Sequence, residues 1–284
     1  ITPVIQVGAV PVFVDVVVED GTYNIDVSQL EQALSKRTKA VILAHTLGNP
    51  FNLDVVTNFC KQHGLWLIED NCDALGSTYR GRLTGTFGDI SILSFNVNKI
   101  ITTSGGGALV SNNEKTKDKA IFLATQARDN APHYQHSQIG YNYRLSNVCA
   151  GIGRGQMEVL DKHVALRRAM NEFYQDFFKE CEYINVFQES SSNNFSNHWL
   201  TCIVVSDNSK GVNPETIRLA LEAENIESRP LWKPMHLQPI FKDYPYYGAA
   251  TAQDLFENGL CLPSGSNLSE EDKNRISIVL SNFV

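Results

Sequence analysis

The sequence lacks the features that mark membrane, nucleic-acid-binding and disulfide-stabilised proteins. No apolar run approaches the roughly 20 residues that a membrane-spanning helix needs, which argues against a membrane protein. The net charge of -7, with no stripe of Lys and Arg, argues against binding to a phosphate backbone. The six cysteines are scattered, with no Cys-x-x-Cys spacing, so we expect a reduced, cytoplasmic protein.

The sequence does contain the pattern of a layered α/β protein. At 284 residues and 43% hydrophobic, it is long enough for one large or two modest domains. Helical patterns beginning at Val27 and running from Leu53 to His63 alternate with short, β-branched apolar runs. These runs predict buried strands of a mostly parallel sheet, at 10–18, 40–45, 64–69, 89–95 and 107–111.

The second half of the chain predicts a long helix followed by a smaller α/β unit. The helix covers 147–180, and its spacing places Arg167 and Arg168 toward solvent. The residues predicted to face its core side are Met157, Leu160, Val164 and Leu166. A polar loop at 189–197 and a strand at 199–206 follow. We therefore predict a large cofactor-binding domain at 1–160, and the helix with a small C-terminal domain at 161–284.

Lys99 is the strongest candidate for chemistry. It follows the predicted strand 89–95, precedes the glycine run 105–107, and comes after Asp70, which ends an earlier strand. A lysine in that place can form a Schiff base with the aldehyde of pyridoxal phosphate, and an aspartate can keep the pyridine nitrogen protonated. The alternatives are a solvated lysine and an aspartate that caps the segment after it.

Four neighbouring residues are weaker candidates. Ser94 offers a hydroxyl for a phosphate, and Asp73 either orients the ring hydroxyl of the cofactor or closes a turn. His45 ends another strand, where a core histidine is at least as common as a catalytic one. Cys72 has no second cysteine at a short spacing, so we predict a small buried side chain and no metal site.

Two later segments combine cations with aromatic rings. Gly140–Ser146 contains an amide, two phenols and a guanidinium, which suit phosphate or sugar hydroxyls or else begin a polar helix. Arg229–His236 combines cations with an indole ring, as a nucleotide-sugar diphosphate would require, although a structural loop is the alternative.

Three motifs carry a resemblance to a known family. They are Lys99–Val110, Gln126–Tyr134 and Glu227–His236. With them, the chain resembles the DegT/DnrJ/EryC1/StrS family of sugar aminotransferases, and in particular members that aminate UDP-linked 4-keto-6-deoxy sugars of the UDP-N-acetylbacillosamine type. The resemblance implies a fold-type I, three-layer α/β/α architecture with a smaller C-terminal domain. It also implies pyridoxal 5'-phosphate as cofactor, L-glutamate as amino donor, and a homodimer with shared active sites.

The resemblance also implies a role for individual residues. Lys99 would carry the cofactor, Asp70 would pair with its pyridine nitrogen, and Ser94 would bind its phosphate. Asn142 would reach the phosphate of the neighbouring subunit's cofactor. Asp73 stands where many family members have glutamine or histidine. The predicted substrate-binding residues are Arg229, Lys233 and His236.

Two other functions are compatible with this sequence. The segments His45–Asp54 and Glu69–Gly76 resemble sugar 3-dehydratases of the same family, which use pyridoxamine phosphate and an iron–sulfur cluster. That branch has histidine where this chain has Lys99, and cysteines near Asn130 and Pro132, so an aminotransferase is favoured. A regulator without catalytic activity is the other alternative.

Family members begin earlier, with a Ser-Gly-Thr turn that cradles the cofactor phosphate, so we expect the chain to be a fragment.

Overall fold

The computed structural model describes residues 1–19, 22–189, 193–207 and 209–284. The loop predicted at 189–197 lies partly outside these residues. The chain forms two compact units, one of residues 39–163 and one of residues 1–38 with 164–284. The predicted domain boundary at 160/161 stays a prediction. Within the described residues, no helix is both long and apolar enough to cross a membrane.

The helices and strands follow the alternating order that the sequence indicates. The helices are α1 (Thr2–Gln6), α2 (Leu30–Ala33), α3 (Leu53–His63), α4 (Glu114–Ala124), α5 (Asn147–Met157), α6 (Leu160–Phe178), α7 (Pro214–Ala223), α8 (Thr251–Asn258) and α9 (Glu270–Leu280). The strands are β1 (Phe13–Val14), β2 (Val16–Glu19), β3 (Thr22–Ile25), β4 (Ala40–Ala44), β5 (Trp66–Asp70), β6 (Thr78–Tyr79), β7 (Arg82–Leu83), β8 (Ile90–Ser94), β9 (Gly107–Val110), β10 (Ile184–Val186), β11 (Asn194–Phe195), β12 (Thr201–Val205), β13 (Arg229–Pro230), β14 (Tyr246–Tyr247) and β15 (Gly259–Leu262).

The unit of residues 39–163 contains a four-stranded sheet in the order β4-β5-β8-β9. The first three strands are parallel and β9 is antiparallel. Helix α3 connects β4 to β5 and ends at Gly64, whose φ of 63° lies in the left-handed region that glycine adopts without strain. These elements confirm the strands predicted between residues 40 and 111 and the helix predicted at 53–63. The carboxyl ends of β4, β5 and β8 therefore share one edge.

The unit of residues 1–38 and 164–284 contains an antiparallel sheet in the order β10-β12-β15-β13. Apolar side chains of α6, α7 and α9 pack with this sheet in one hydrophobic cluster, exemplified by Tyr174, Leu221 and Leu280. Each such burial stabilises the fold by about 1.5–3 kcal/mol. Strand β12 confirms the strand predicted at 199–206.

The prediction of one buried strand at 10–18 is wrong. The run divides into β1, which pairs with β14, and β2, which pairs antiparallel with β3. Asp15 lies between them and is buried. Its carboxylate accepts hydrogen bonds from the backbone amides of Val16, Thr251 and Ala252, at 2.8, 3.1 and 3.0 Å. Asp15 thus interrupts the run and provides the acceptor for the first two backbone amides of α8.

The helix predicted at 147–180 is two helices, α5 and α6, which break after Met157. Leu160 and Val164 are buried as predicted, whereas Met157 and Leu166 are exposed. Arg167 is buried, contrary to the prediction, and its guanidinium donates a hydrogen bond to the Trp199 carbonyl at 2.6 Å. Burial lowers the pKa of Arg167 to about 10. A periodic pattern cannot distinguish a buried arginine that satisfies a carbonyl from a solvated one.

Candidate active site

Asp70 ends the central parallel strand of the first sheet. It is in register with Ala44 of β4 and Ile92 of β8. Its carboxylate accepts a hydrogen bond from the backbone amide of Cys72 at 3.2 Å, which shapes the turn leaving the strand. The carboxylate therefore lies at the carboxyl edge of a parallel sheet, where ligands of open α/β sheets bind.

Lys99 lies in the loop between β8 and β9, which we call the lysine loop (residues 95–106). The loop closes through two backbone hydrogen bonds, from Phe95 to the Gly106 carbonyl at 3.0 Å and from Thr103 to the Phe95 carbonyl at 2.9 Å. Ile100 and Ile101 are buried and anchor it. The loop thus holds Lys99 at the same edge of the sheet as Asp70.

The amine of Lys99 pairs with the carboxylate of Asp73, with 2.5 Å between Nζ and Oδ1. Both side chains are mostly buried, at 15% and 20% exposure. Burial raises the pKa of Asp73 above its usual range and nearby Asp70 reinforces the shift, while Lys99 and the Leu47 amide oppose it. The sequence singled out both residues, but their pairing is a finding of the structure.

The charges of Asp70, Asp73 and Lys99 all act on the thiol of Cys72. Burial, followed by the interaction with Asp70, raises the pKa of the Cys72 thiol to about 12. Its side chain is half-buried, and the sulfur lies 3.9 Å from the Ile92 carbonyl. Among the described residues, no group of three or more His, Cys, Asp or Glu side chains could hold a metal ion.

Ser94 and Asn142 occupy different places in the same unit. Ser94 ends β8 beside Asp70's strand, and its hydroxyl accepts a hydrogen bond from the Asn96 amide at 3.4 Å. Asn142 forms an isolated β-bridge with Thr125 at the end of α4. The structure therefore brings Ser94 to the edge occupied by Asp70, whereas the described contacts of Asn142 tie it to α4.

The predicted substrate-binding residues lie in the other unit. Arg229 is exposed and pairs with Glu227, with 2.7 Å between Nε and Oε1. His236 stacks on Tyr246 with 3.8 Å between ring centroids, and burial lowers the pKa of His236 despite nearby Asp15. The backbone carbonyl of Lys233 accepts a hydrogen bond from the Gln238 side chain. The roles of these residues stay predictions.

A buried network that the sequence did not assign lies next to Asp70. Glu69 is fully buried and accepts hydrogen bonds from His45 Nε2 at 3.0 Å and from the amides of Gly85, Phe87 and Gly88. Burial alone would raise the pKa of Glu69, but these hydrogen bonds outweigh it and hold the pKa below its usual value. His45 is thus a core residue that pairs with Glu69 and fixes the end of β5.

Comparison with known proteins decides the family. A family model described as the DegT/DnrJ/EryC1/StrS aminotransferase family matches residues 1–280. The chain belongs to this family. EpsN of Bacillus subtilis strain 168, assigned by name to the pyridoxal phosphate-dependent aminotransferases, is 45% identical over 288 residues, covering 98% of this chain and 73% of EpsN. A GDP-perosamine synthase of Vibrio cholerae is 33% identical over 284 residues, covering 100% of this chain and 76% of that protein.

Solved structures agree with this membership. A DegT DnrJ EryC1 StrS aminotransferase from Brucella abortus superposes with a TM-score of 0.87 at 27% identity, covering 99% of this chain and 75% of that one. The predictions of the family, of the fold-type I architecture, of an enzyme and of pyridoxal phosphate as its cofactor are thereby confirmed.

Proposed function

We propose that this enzyme transfers the amino group of L-glutamate to a nucleotide-linked 4-keto-6-deoxy sugar, for polysaccharide or glycan synthesis. The observation that carries the proposal is the placement of Lys99. Its amine lies beside a carboxylate at the carboxyl edge of a parallel sheet, where Asp70 and Ser94 end neighbouring strands.

The residues at this edge fit pyridoxal phosphate. They supply an amine for the aldehyde (Lys99), a carboxylate for the ring nitrogen (Asp70) and a hydroxyl for the phosphate (Ser94). The backbone after the lysine loop is also compact, because a Cβ on Gly107 would lie 2.4 Å from the Leu93 carbonyl oxygen. When bound, the cofactor supplies an electron sink for breaking the Cα–H bond of the amino acid. Once free, the Lys99 amine would accept that proton from Cα and would deliver it to the cofactor carbon that had carried the aldehyde.

The cationic segment of the second unit supports a diphosphate-linked substrate. Arg229 is exposed and carries a planar guanidinium suited to two phosphate oxygens. The guanidinium already pairs with the carboxylate of Glu227, so a diphosphate would replace that carboxylate as its anionic partner. Lys233 and His236 lie within the same short segment. We propose that these three residues bind the nucleotide sugar.

We further propose a homodimer in which Asn142 reaches the cofactor of the neighbouring subunit. Large apolar side chains in and next to the segment that holds Asn142 are exposed, among them Ile139 at 86%, Tyr143 at 74% and Val148 at 75%. Side chains of this kind are characteristic of an interface. Light scattering should give about twice the monomer mass of 31.6 kDa. The cytoplasmic location stays a prediction.

The test of the reaction uses the wild-type protein and Lys99→Ala. We expect the wild type to convert L-glutamate and a UDP- or GDP-linked 4-keto-6-deoxy hexose into 2-oxoglutarate and an amino sugar. Pyridoxal phosphate should give a visible absorption band with the wild type and none with the variant, and the variant should show no turnover.

A deoxy sugar product without an amine would support the dehydratase, and turnover by K99A would refute the role of Lys99. A folded wild type that binds neither cofactor nor sugar would support the regulator.

A further inference from the structure

Two cysteines of the unit of residues 1–38 and 164–284 face each other across neighbouring strands. Cys202 lies in β12 and Cys261 in β15, and the antiparallel register of these strands places the two residues directly opposite each other. Their sulfur atoms are 3.4 Å apart, and both are free thiols. Both residues are buried, Cys202 at 0% exposure and Cys261 at 7%. They are 59 positions apart in the chain, so the spacing of the cysteines does not reveal the pair.

The backbone around the pair brings the two side chains close together. The Phe187 amide donates to the Cys202 carbonyl at 2.9 Å, and the Leu231 amide donates to the Gly259 carbonyl at 3.3 Å. The backbone groups of Cys202 therefore point toward β10, and those of Cys261, two residues after Gly259, point toward β13. The two cysteines thus form a non-hydrogen-bonded pair of β12 and β15, in which Cα atoms are about 4.5 Å apart. A disulfide requires Cα atoms roughly 4.4–6.8 Å apart, so the backbones already stand at a bonding distance.

The proximity of the second thiol distinguishes this pair from two unrelated core residues. A buried cysteine is usually no more than a small apolar side chain. Here, a sulfur that gains one oxygen atom lies next to a second thiol that can displace this oxygen. Cys261 is the more accessible of the two residues, and an oxidant about as small as water suits its exposure of 7%. Cys261 is therefore the thiol that such an oxidant meets first.

We propose that Cys202 and Cys261 are a redox modification site, at which hydrogen peroxide converts the two thiols into a disulfide across β12 and β15. The Cys261 sulfur attacks one peroxide oxygen, the O–O bond breaks, and a sulfenic acid and one water result. The Cys202 sulfur then attacks the Cys261 sulfur, the S–O bond breaks, and the hydroxyl leaves with the thiol proton as a second water. The peroxide gains two electrons, which the two thiols lose. Neither Lys99 nor the cofactor takes part, so the site is independent of the proposed reaction.

The disulfide would join two strands at a point where their backbones exchange no hydrogen bond. Strand β15 also pairs with β13, in which Arg229 is in register with Cys261. The modification therefore lies one strand away from the segment that is proposed to bind the nucleotide sugar. A thiol reductant cleaves a disulfide by exchange, so the modification is reversible.

The test treats the folded wild-type protein with hydrogen peroxide and follows its fold by circular dichroism. The remaining thiols are alkylated, and disulfides are mapped by peptide mass spectrometry without reduction. We expect the Cys202–Cys261 linkage to exceed any linkage of Cys60 or Cys181 at least about tenfold, because the register sets the two sulfurs opposite each other. Cys60 is the matched control, since it is also buried, at 3% exposure. Dithiothreitol should restore both thiols.

Two variants test the order of the steps. In Cys202→Ala the sulfenic acid of Cys261 has no thiol to displace its oxygen. Dimedone, added with denaturant after the peroxide is removed, should therefore label Cys261 at least about fivefold more than in the wild type. In Cys261→Ala, the fully buried Cys202 should remain a thiol. Equal labelling of Cys202 in C261A and of Cys261 in C202A would overturn the proposal as stated.

The map of the wild type decides the proposal even where a variant does not fold. Recovery of Cys202 and Cys261 as alkylated thiols after peroxide treatment would overturn it. The same holds for a linkage that forms only after the chain has been unfolded in urea, because the folded register would then not be its cause.

Discussion

Replacing Glu69 with glutamine should be among the most damaging conservative changes in the first unit. The carboxylate is completely buried and accepts hydrogen bonds from Gly85, Phe87 and Gly88 at 2.8, 2.7 and 2.6 Å and from His45 at 3.0 Å. Hydrogen bonds to a charged group each contribute about 1.5–3 kcal/mol. A glutamine keeps one acceptor oxygen but points its NH₂ group at amide donors. We expect Glu69→Gln to lower the free energy of unfolding by about 3–5 kcal/mol.

Urea unfolding followed by circular dichroism at pH 7.5 measures this loss. The matched control is Glu114→Gln, because Glu114 is 82% exposed and pairs only at the surface with Lys117. The control should change the free energy of unfolding by less than about 0.5 kcal/mol. A loss below about 1 kcal/mol for E69Q would refute the reasoning that the network stabilises the strand end.

The same pair of proteins gives a pH dependence with a definite sign. The pKa of Glu69 is lower in the folded protein than its ordinary value, so the ionised form contributes stability above the unfolded pKa. The difference between wild type and E69Q should be constant from about pH 8 to pH 5 and should shrink only below about pH 4.3. A difference that shrinks already near pH 6 would contradict the lowered pKa.

Two further substitutions test other parts of the fold, each by its midpoint of chemical unfolding. Gly107→Ala would place a Cβ 2.4 Å from the Leu93 carbonyl oxygen, so we expect a loss of about 1–3 kcal/mol, whereas Gly105→Ala, which meets no atom within 4 Å, should be neutral. Equal effects of the two would contradict the close approach at Gly107. Asp15→Ala removes the acceptor for three backbone amides and should cost about 1–3 kcal/mol. A neutral result would show that the start of α8 does not depend on Asp15.

Local pattern was enough for the strands of the first sheet. The strands around Leu43, Leu67 and Ser91 appear in the sequence as short apolar runs bounded by turn residues. The run at 10–18 has the same composition, yet Asp15 divides it through partners 236 and 237 positions away. Arg167 likewise depends on the Trp199 carbonyl in another segment. Neither partner can be read from the neighbouring sequence.

In the candidate site, too, some features follow from the local sequence and others depend on tertiary packing. Lys99 and Asp70 were predictable, because the end of an apolar strand and the start of a glycine run are local signals. The pairs His45–Glu69 and Asp73–Lys99 join residues 24 and 26 positions apart. They depend on the register of β4 against β5 and on the path of the lysine loop, which tertiary packing sets.

The closure of the lysine loop has a consequence for how this fold can change its chemistry. Residues 94 and 107 are partners in the β8–β9 ladder, so the loop begins and ends at one point of the sheet. The ladder on either side of the loop is formed by backbone groups and does not include position 99. The side chain at position 99 can therefore be exchanged while the ladder on either side remains intact. The residues that form the ladder and the residue proposed to bond the cofactor are thus different positions of the chain, so a substitution at position 99 would change the chemistry of the site and leave the sheet in place.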